Sequence, residues 1–331
     1  MSSRRRFIRI VALAGLFAAI CIGFAPLIGP QHIDIRAAWA HRHDLAQSPD
    51  ATILFAARLP RILFAALAGM ALAGAGVAFQ ALLKNPLATP YTLGVSSGAA
   101  CGAVFGILMG LDGLILGIPG IQVAGFCGAL LTVFLVYSLG KRTGGSTHTL
   151  LLAGVTLSFF FASLIMLMQY LADFTQTYRM IRWLMGGVDV VEYTALYRSL
   201  PGVTIALVLL WTRASEYNLL STGEITARSR GVNVERCYHV TYVCASLAVA
   251  AVVSVTGPIG FVGLIVPHTL RLMVGSDHRI LLPASILSGA GFLVLCDTVA
   301  RTLFAPAEIP VGVITALLGG PFFIHILMKK R

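Results

Sequence analysis

The chain is expected to be an all-α polytopic membrane protein with about ten transmembrane helices, and three features predict it. Of its 331 residues, 57% are hydrophobic and only 11% are charged, where soluble domains carry roughly 45–50% and 25%. At ~20 residues per membrane helix, that apolar stock serves about ten spans and leaves little for a water-facing domain. The apolar runs are bounded by Gly, Pro and charge, and a bilayer forces each backbone polar group to be satisfied within its own segment, which selects helices. Both ends are basic, Arg4-Arg5-Arg6 and Lys329-Lys330-Arg331. Both are therefore expected on the cytoplasmic side, which requires an even number of spans. The composition excludes a large soluble catalytic domain, a disordered chain and a nucleic-acid-binding module.

The first run, 7–28, follows its arginines as a secretory signal would. It is longer than a signal core and has no small-residue cleavage site, so it reads as a retained span. The others are expected near 60–83, 92–110, 118–140, 150–171, 195–213, 238–256, 258–275, 281–303 and 311–328. The eighth is the least regular, because Gly257-Pro258, Gly260, Gly263 and Pro267 interrupt it. On this map 16 of the 24 Lys and Arg lie on the side of the termini and 8 on the other, the bias expected of cytoplasmic loops. The net charge of +11 thus reports orientation rather than an affinity for nucleic acid. The chain reads as a single domain, 1–331, with two segments outside the bilayer. Residues 29–57 form an external loop containing Trp39, His41 and His43. Residues 214–236 form the longest internal segment, where Glu224, Arg228 and Arg230 precede Gly231 as in a short polar helix ending at a glycine cap. A cytoplasmic helix that cannot span suits the docking of a partner.

The chemistry is sparse. There is no phosphate loop, since Gly140-Lys141-Arg142 lacks the spaced upstream Gly and the hydroxyl. Neither a zinc-binding His-Glu-x-x-His nor a Gly-x-Ser-x-Gly turn occurs, and nothing calls for a cofactor. The six Cys form no Cys-x-x-Cys pair, and five sit inside apolar runs. They read as small hydrophobes rather than metal ligands or a disulfide. Gly98, Gly102, Gly106 and Gly110 share one helix face, fit for close packing within the subunit or for a moving helix interface. Asp297 and Arg301 stand four apart on the ninth span and can pair on one face. Arg58 and Arg61, in the string RLPR at the outer start of the second span, either snorkel to the interface or present cations to an acidic partner. An ion-gradient-driven transporter would call for several midplane carboxylates, which the sequence lacks.

Three strings go further. RLPRILFAALAGMALAGAGVAFQALLKNPLATPYTLGVSSGAA (Arg58 to Ala100), GPIGFVGLIVPH (Gly257 to His268) with SDHRILLP after it, and EIPVGVITALLGGPFF (Glu308 to Phe323) resemble the FecCD-type permeases, over residues from about 30 to the C-terminus. These are membrane subunits of bacterial ATP-binding-cassette importers for ferric siderophores, haem and cobalamin. The resemblance implies the type II ABC importer permease architecture: a homodimer around one path in the inner membrane, two cytoplasmic ATP-binding subunits that hydrolyse ATP, and a periplasmic substrate-binding protein. It implies that Arg58, Arg61 and Arg301 receive acidic residues of that binding protein. It places a cytoplasmic gate at Asn85 and Leu87 in NPLA and at Thr147 and His148, His148 standing where a smaller residue is the family habit. It makes 214–236 the coupling segment, with Gly223, Ala227, Arg228 and Gly231 as its key positions. Residues 172–193, with Arg179, Arg182 and Trp183, are expected to cap the outer pore mouth. A ferric siderophore ranks first as cargo on breadth of class, with haem and cobalamin beside it. A gradient-driven transporter working without an ATPase is the alternative.

Overall fold

The Ala- and Gly-rich string that follows Pro60 is apolar on every face, and such a helix belongs inside a bundle. The structure, a computed structural model describing residues 3–142, 147–188 and 192–329, places it there. Helix α4 (Leu59–Leu82) is buried along nearly its whole length. It packs against α9 (Tyr193–Thr212), α12 (Val234–Thr256), α13 (Val262–Val274) and α14 (His278–Thr302). Outside this centre, α1 (Ser3–Phe24) and α15 (Val311–Lys329) lie against α14, while α5 (Val95–Leu108), α6 (Gly120–Arg142) and α7 (Thr147–Leu171) pack on one another. Seven helices are long and apolar enough to cross a bilayer, and three shorter apolar ones, Val95–Leu108, Val262–Val274 and Val311–Ile326, complete the set among the described residues.

Small residues on α4 set the distances. A Cβ on Gly69 would lie 2.1 Å from the Gly289 carbonyl oxygen of α14, and one on Gly76 would lie 2.2 Å from that of Gly263 on α13. Without side chains there, backbones touch and the helices approach as closely as they can. The predicted glycine stripe does the same within the subunit. A Cβ on Gly102 would meet the Ala124 carbonyl of α6 at 2.2 Å, while Gly110 lies beyond α5 with φ +66° and open space beside it.

Polar contacts define the two ends of the bundle. At one end Arg6 Nη2 donates to the Val274 carbonyl at 2.9 Å, and Lys84, just past α4, lies 3.4 Å from Glu224. Helices α10 (Ala214–Ser221) and α11 (Glu224–Ser229) lie at this end, which also holds the start of α1. At the other end, Arg301 Nη2 reaches the Ala25 carbonyl at 3.5 Å, and Gly312, where α15 starts, donates to the Gly186 carbonyl at 3.0 Å. Helix α15 runs from there towards the α11 end.

Three boundaries differ from the sequence expectation. The segment 29–57, expected as an external loop, is largely helical: α2 (Ile35–Ala40) is followed by a 3-10 turn at Leu45–Gln47, α3 (Pro49–Ala51) and a π-helical turn Thr52–Arg58. The last two run directly into α4, so the second apolar helix begins at Pro49 rather than near 60. Ser48, accepting from the Ala51 amide, caps its start. The expected outer cap is the amphipathic α8 (Phe174–Leu184), opened by a capping box between Asp173 and Gln176. The eighth span is a half-helix. The chain leaves α12 at the arginine end, where Gly187 donates to the Thr256 carbonyl at 2.7 Å, and α13 begins only at Val262, alongside Gly76. Residues 257–261 cover that depth as non-helical backbone, tolerated because it is enclosed in protein; Ile259 is 1% exposed.

Gly76→Val should cost about 1–3 kcal/mol through overpacking against α13. Thermal unfolding in detergent would read it, and an unchanged midpoint would mean the backbones are not in contact there.

Candidate functional site

At one end of the bundle, three arginines separated by up to 243 positions come together, two of them around one carboxylate. Asp297, fully buried on α14, faces Arg61 on α4 at 3.0 Å and Arg301, one turn along its own helix, at 3.1 Å. Arg61 Nε donates to both Asp297 oxygens at 3.0 and 3.2 Å, and its Nη1 donates to Glu308 at 2.6 Å. Arg58, at the end of the π-helical turn, donates instead to the carbonyls of Pro26 at 2.7 Å and Gln31 at 2.5 Å. Arg58, Arg61 and Arg301 are 5%, 8% and 2% exposed.

The structure brings the three arginines named from the sequence to one end of the bundle and pairs Asp297 with Arg301, as the helical spacing allowed; the contacts of Arg58 and Arg61 were not foreseen. The guanidiniums are turned inward, Arg61 and Arg301 paired with carboxylates and Arg58 with carbonyls, and burial of this kind is stable only with the partners in place. They still reach an open cleft of about 740 Å³, shared with Glu192, Glu308 and the Ala305–Pro306 turn. Glu308, missed at the sequence level, is the half-exposed member through which the cluster meets solvent. A smaller cavity of about 210 Å³ on the other side of Arg61 and Glu308 is lined by Arg182 and Tyr178 of α8. Arg179 points elsewhere, to Asp112, and its guanidinium holds that carboxyl below the usual carboxylate range.

The opposite end of α4 carries the other predicted residues. Asn85 Oδ1 accepts from the Leu87 amide at 2.9 Å, closing the NPLA turn, and Leu87 projects outward at 45% exposure. Thr147 and His148 open α7, but their side chains lie outside the described residues. The segment 214–236 is two helices rather than one. Gly223, with φ +123°, separates α10 from α11, and Gly231, with φ +83°, turns the chain out of α11 into α12. Ala227 is fully buried under α11 and Arg228 is exposed. Ile225, which the sequence reading passed over, is 87% exposed on this otherwise polar helix; a lone aliphatic side chain in GEITARSRG was the available signal.

The two ends are joined by α14. Asn218 of α10 donates to Asp277 at 2.6 Å and accepts from the His278 amide at 2.8 Å, and Arg279 Nε donates to Ser215 at 3.1 Å. Twenty-five residues of helix separate His278 from Thr302, a rise of ~37 Å, and carry that junction to Asp297 and Arg301. Nearer the segment, the Lys84–Glu224 pair ties the NPLA turn directly to α11. Among the described residues Asp297 is the one carboxylate buried inside a span, and both its neighbours are arginines. The gradient-driven alternative finds no free midplane carboxylate there. Asp297→Asn should cost about 3–5 kcal/mol by stranding two buried guanidiniums, while Glu308→Gln, at a half-exposed pair, should cost less than about 1 kcal/mol. Unfolding midpoints of the two variants in detergent would separate them; equal shifts would contradict this account of the cluster.

Comparison with known proteins agrees with this two-ended bundle. Residues 15–329 match the FecCD transport family. The cobalamin import system permease of Halobacterium salinarum is 42% identical over 279 residues, covering 83% of this chain and 73% of that protein. The hemin transport system permease of Yersinia pestis is 37% identical over 276 residues, covering 83% and 82%. Among solved structures, an ABC transporter assigned to the metal-chelate type, in an inward-facing conformation, has a TM-score of 0.83 at 32% identity and covers 98% of this chain and 99% of that one. A match that runs from the first apolar helix to the last, together with the same bundle in a solved relative, means that the chain belongs to the FecCD transport family.

Proposed function

We propose that the chain is the membrane-spanning permease subunit of an ATP-binding-cassette importer for a metal chelate, with a ferric siderophore first and haem or cobalamin as the chemically neighbouring cargoes. It works as a homodimer enclosing one path through the bacterial inner membrane, with both termini cytoplasmic. Two cytoplasmic ATP-binding subunits hydrolyse the ATP, and a periplasmic substrate-binding protein delivers the chelate. The observation that carries this reading is the pair of unlike recognition surfaces at opposite ends of α4 and α14: an arginine cleft at one and the α10–α11 segment at the other.

The cleft explains how docking would act. Arg61 already holds a carboxylate, Glu308, on the loop that leads into α15. An acidic side chain from the binding protein would compete with Glu308 for Arg61, so docking exchanges one partner for another and releases the start of α15. Charge pairing of this sort sets orientation and encounter rate. At the far end, Ile225 and Arg228 of α11 offer an apolar anchor and a cation to a groove on the ATP-binding subunit. Motion of α11 would reach the NPLA turn through Lys84 and reach α14 through Asn218, a lever between packed helices.

Reconstitution of the chain with its ATP-binding and substrate-binding partners in proteoliposomes tests the reading. Uptake of a ferric siderophore, haem or cobalamin should require ATP and the binding protein; uptake by the chain alone on an ion gradient would overturn it. Arg58 is the clean probe of docking, since its partners are carbonyls and no buried acid depends on it. Arg58→Gln should weaken binding-protein affinity at least about tenfold with little loss of stability, measured on the reconstituted permease, whereas unchanged affinity would remove Arg58 from the docking surface. Gly231→Val should leave ATP hydrolysis running while uptake falls, because a β-branched residue is strained at φ +83°. Uptake kept in step with hydrolysis would remove the lever role.

A further inference from the structure

An apolar groove of about 570 Å³ lies between α6, α9 and α12, away from both sites described above. Its walls include Phe126, Ile205, Leu209, Leu247 and Val255, and no carboxylate lines it among the described residues. A hairpin of β1 (Leu114–Ile115) and β2 (Ile118–Pro119) stands at its outer mouth, with Leu116 fully exposed at the tip. The one charged group in the lining is Arg198, near the start of α9. It is exposed and, among the described residues, makes no ion pair. One residue before it, Tyr197 stacks on Tyr193 with ring centroids 6.0 Å apart, a pair of the kind that marks the membrane–water interface. A cation at that depth needs a counter-ion, and the groove beneath it needs an apolar occupant.

We propose that this groove is a binding site for an anionic glycerophospholipid, with the phosphate on Arg198 and one acyl chain laid along α9 towards Leu209. The dimensions agree: the eleven-residue step from Arg198 to Leu209 rises ~16 Å, about half of a ~30 Å hydrocarbon core. The site therefore holds a lipid of one leaflet, the one on the arginine-cleft side. An anionic headgroup is favoured because, among the described residues, the lining offers one cation and no acid, so an ammonium headgroup would gain nothing there. The inference is independent of which chelate is carried.

Native mass spectrometry of the purified full-length protein, titrated with dioleoyl phosphatidylglycerol or dioleoyl phosphatidylethanolamine, tests it. Phosphatidylglycerol should form the tighter first adduct. Arg198→Gln should weaken that adduct roughly fivefold and leave phosphatidylethanolamine unchanged. Gly202→Leu, which places a side chain in groove space where a Cβ meets nothing within 4 Å, should weaken the first adduct of both lipids by a similar factor. Phosphatidylglycerol titrating alike on wild type and Arg198→Gln would overturn the headgroup assignment. Unchanged binding to Gly202→Leu would show that lipid does not enter the groove, and loss of a dimer in that variant's spectrum would show instead that a second copy of the chain covers it.

Discussion

Close approach of backbones around α4 is the constraint on which the rest of the structure depends. Lipid tails are as apolar as leucine, so hydrophobicity alone gives membrane helices little reason to associate. Here association comes from van der Waals contact over surfaces where Gly69 meets Gly289 and Gly76 meets Gly263. These contacts fix α14 and α13 against α4. Arg61 can then reach Asp297 at 3.0 Å only because α4 and α14 are already held at a set distance and rotation. The polar cluster is thus a product of the apolar packing, and the packing gains specificity from the cluster in return.

The broken eighth span shows the same economy in backbone hydrogen bonding. Starting α13 in mid-bundle leaves carbonyls and amides that no helix satisfies, and a bilayer offers them no water. Within α13, Pro267 has no N–H to offer the Gly263 carbonyl one turn back, and Gln80 of α4 supplies the missing donor at 3.0 Å while its own oxygen accepts from Arg271 at 2.9 Å. One side chain on the central helix therefore serves both the proline gap and a basic residue near the end of α13. Phe261 holds a left-handed conformation at φ +66° to start the half-helix, a cost that the surrounding packing sustains.

Much of this was legible in the sequence, for identifiable reasons. Span count follows from hydropathy, because the bilayer sets the length of each apolar run. The pairing of Asp297 with Arg301 follows from helical period. The arrival of Arg61 at the same carboxylate does not, because it depends on how two helices far apart in sequence are rotated against each other. The helical character of 29–57 was hidden because its helices are short and interrupted by polar residues, so apolar periodicity never builds up; the Ser48-Pro49 capping signal was present but unread. The half-helix was announced by Gly257-Pro258, yet glycine and proline say that a helix breaks, not how deep the break lies. Inward rotation of Arg58 and Arg61 was likewise invisible, since RLPR reads the same whether its side chains face solvent, carbonyls or a buried acid.

The ion cluster at Arg61 also has a history in the life of each molecule. Its two halves are made at different times, because Asp297 lies 236 residues after Arg61 in the chain. At ~5–20 residues per second the ribosome needs tens of seconds to supply the missing carboxylate. Until then α4 sits in the membrane with Arg61 short of its acids, while Arg58 already has the Pro26 and Gln31 carbonyls made before it; a long side chain can hold such a cation at the interface. Insertion of α14 ends that interval. A truncated or stalled chain would remain in it, displaying Arg61 as an unmatched cation in an otherwise apolar span, the kind of exposed polar feature that would distinguish an unfinished chain from a finished one.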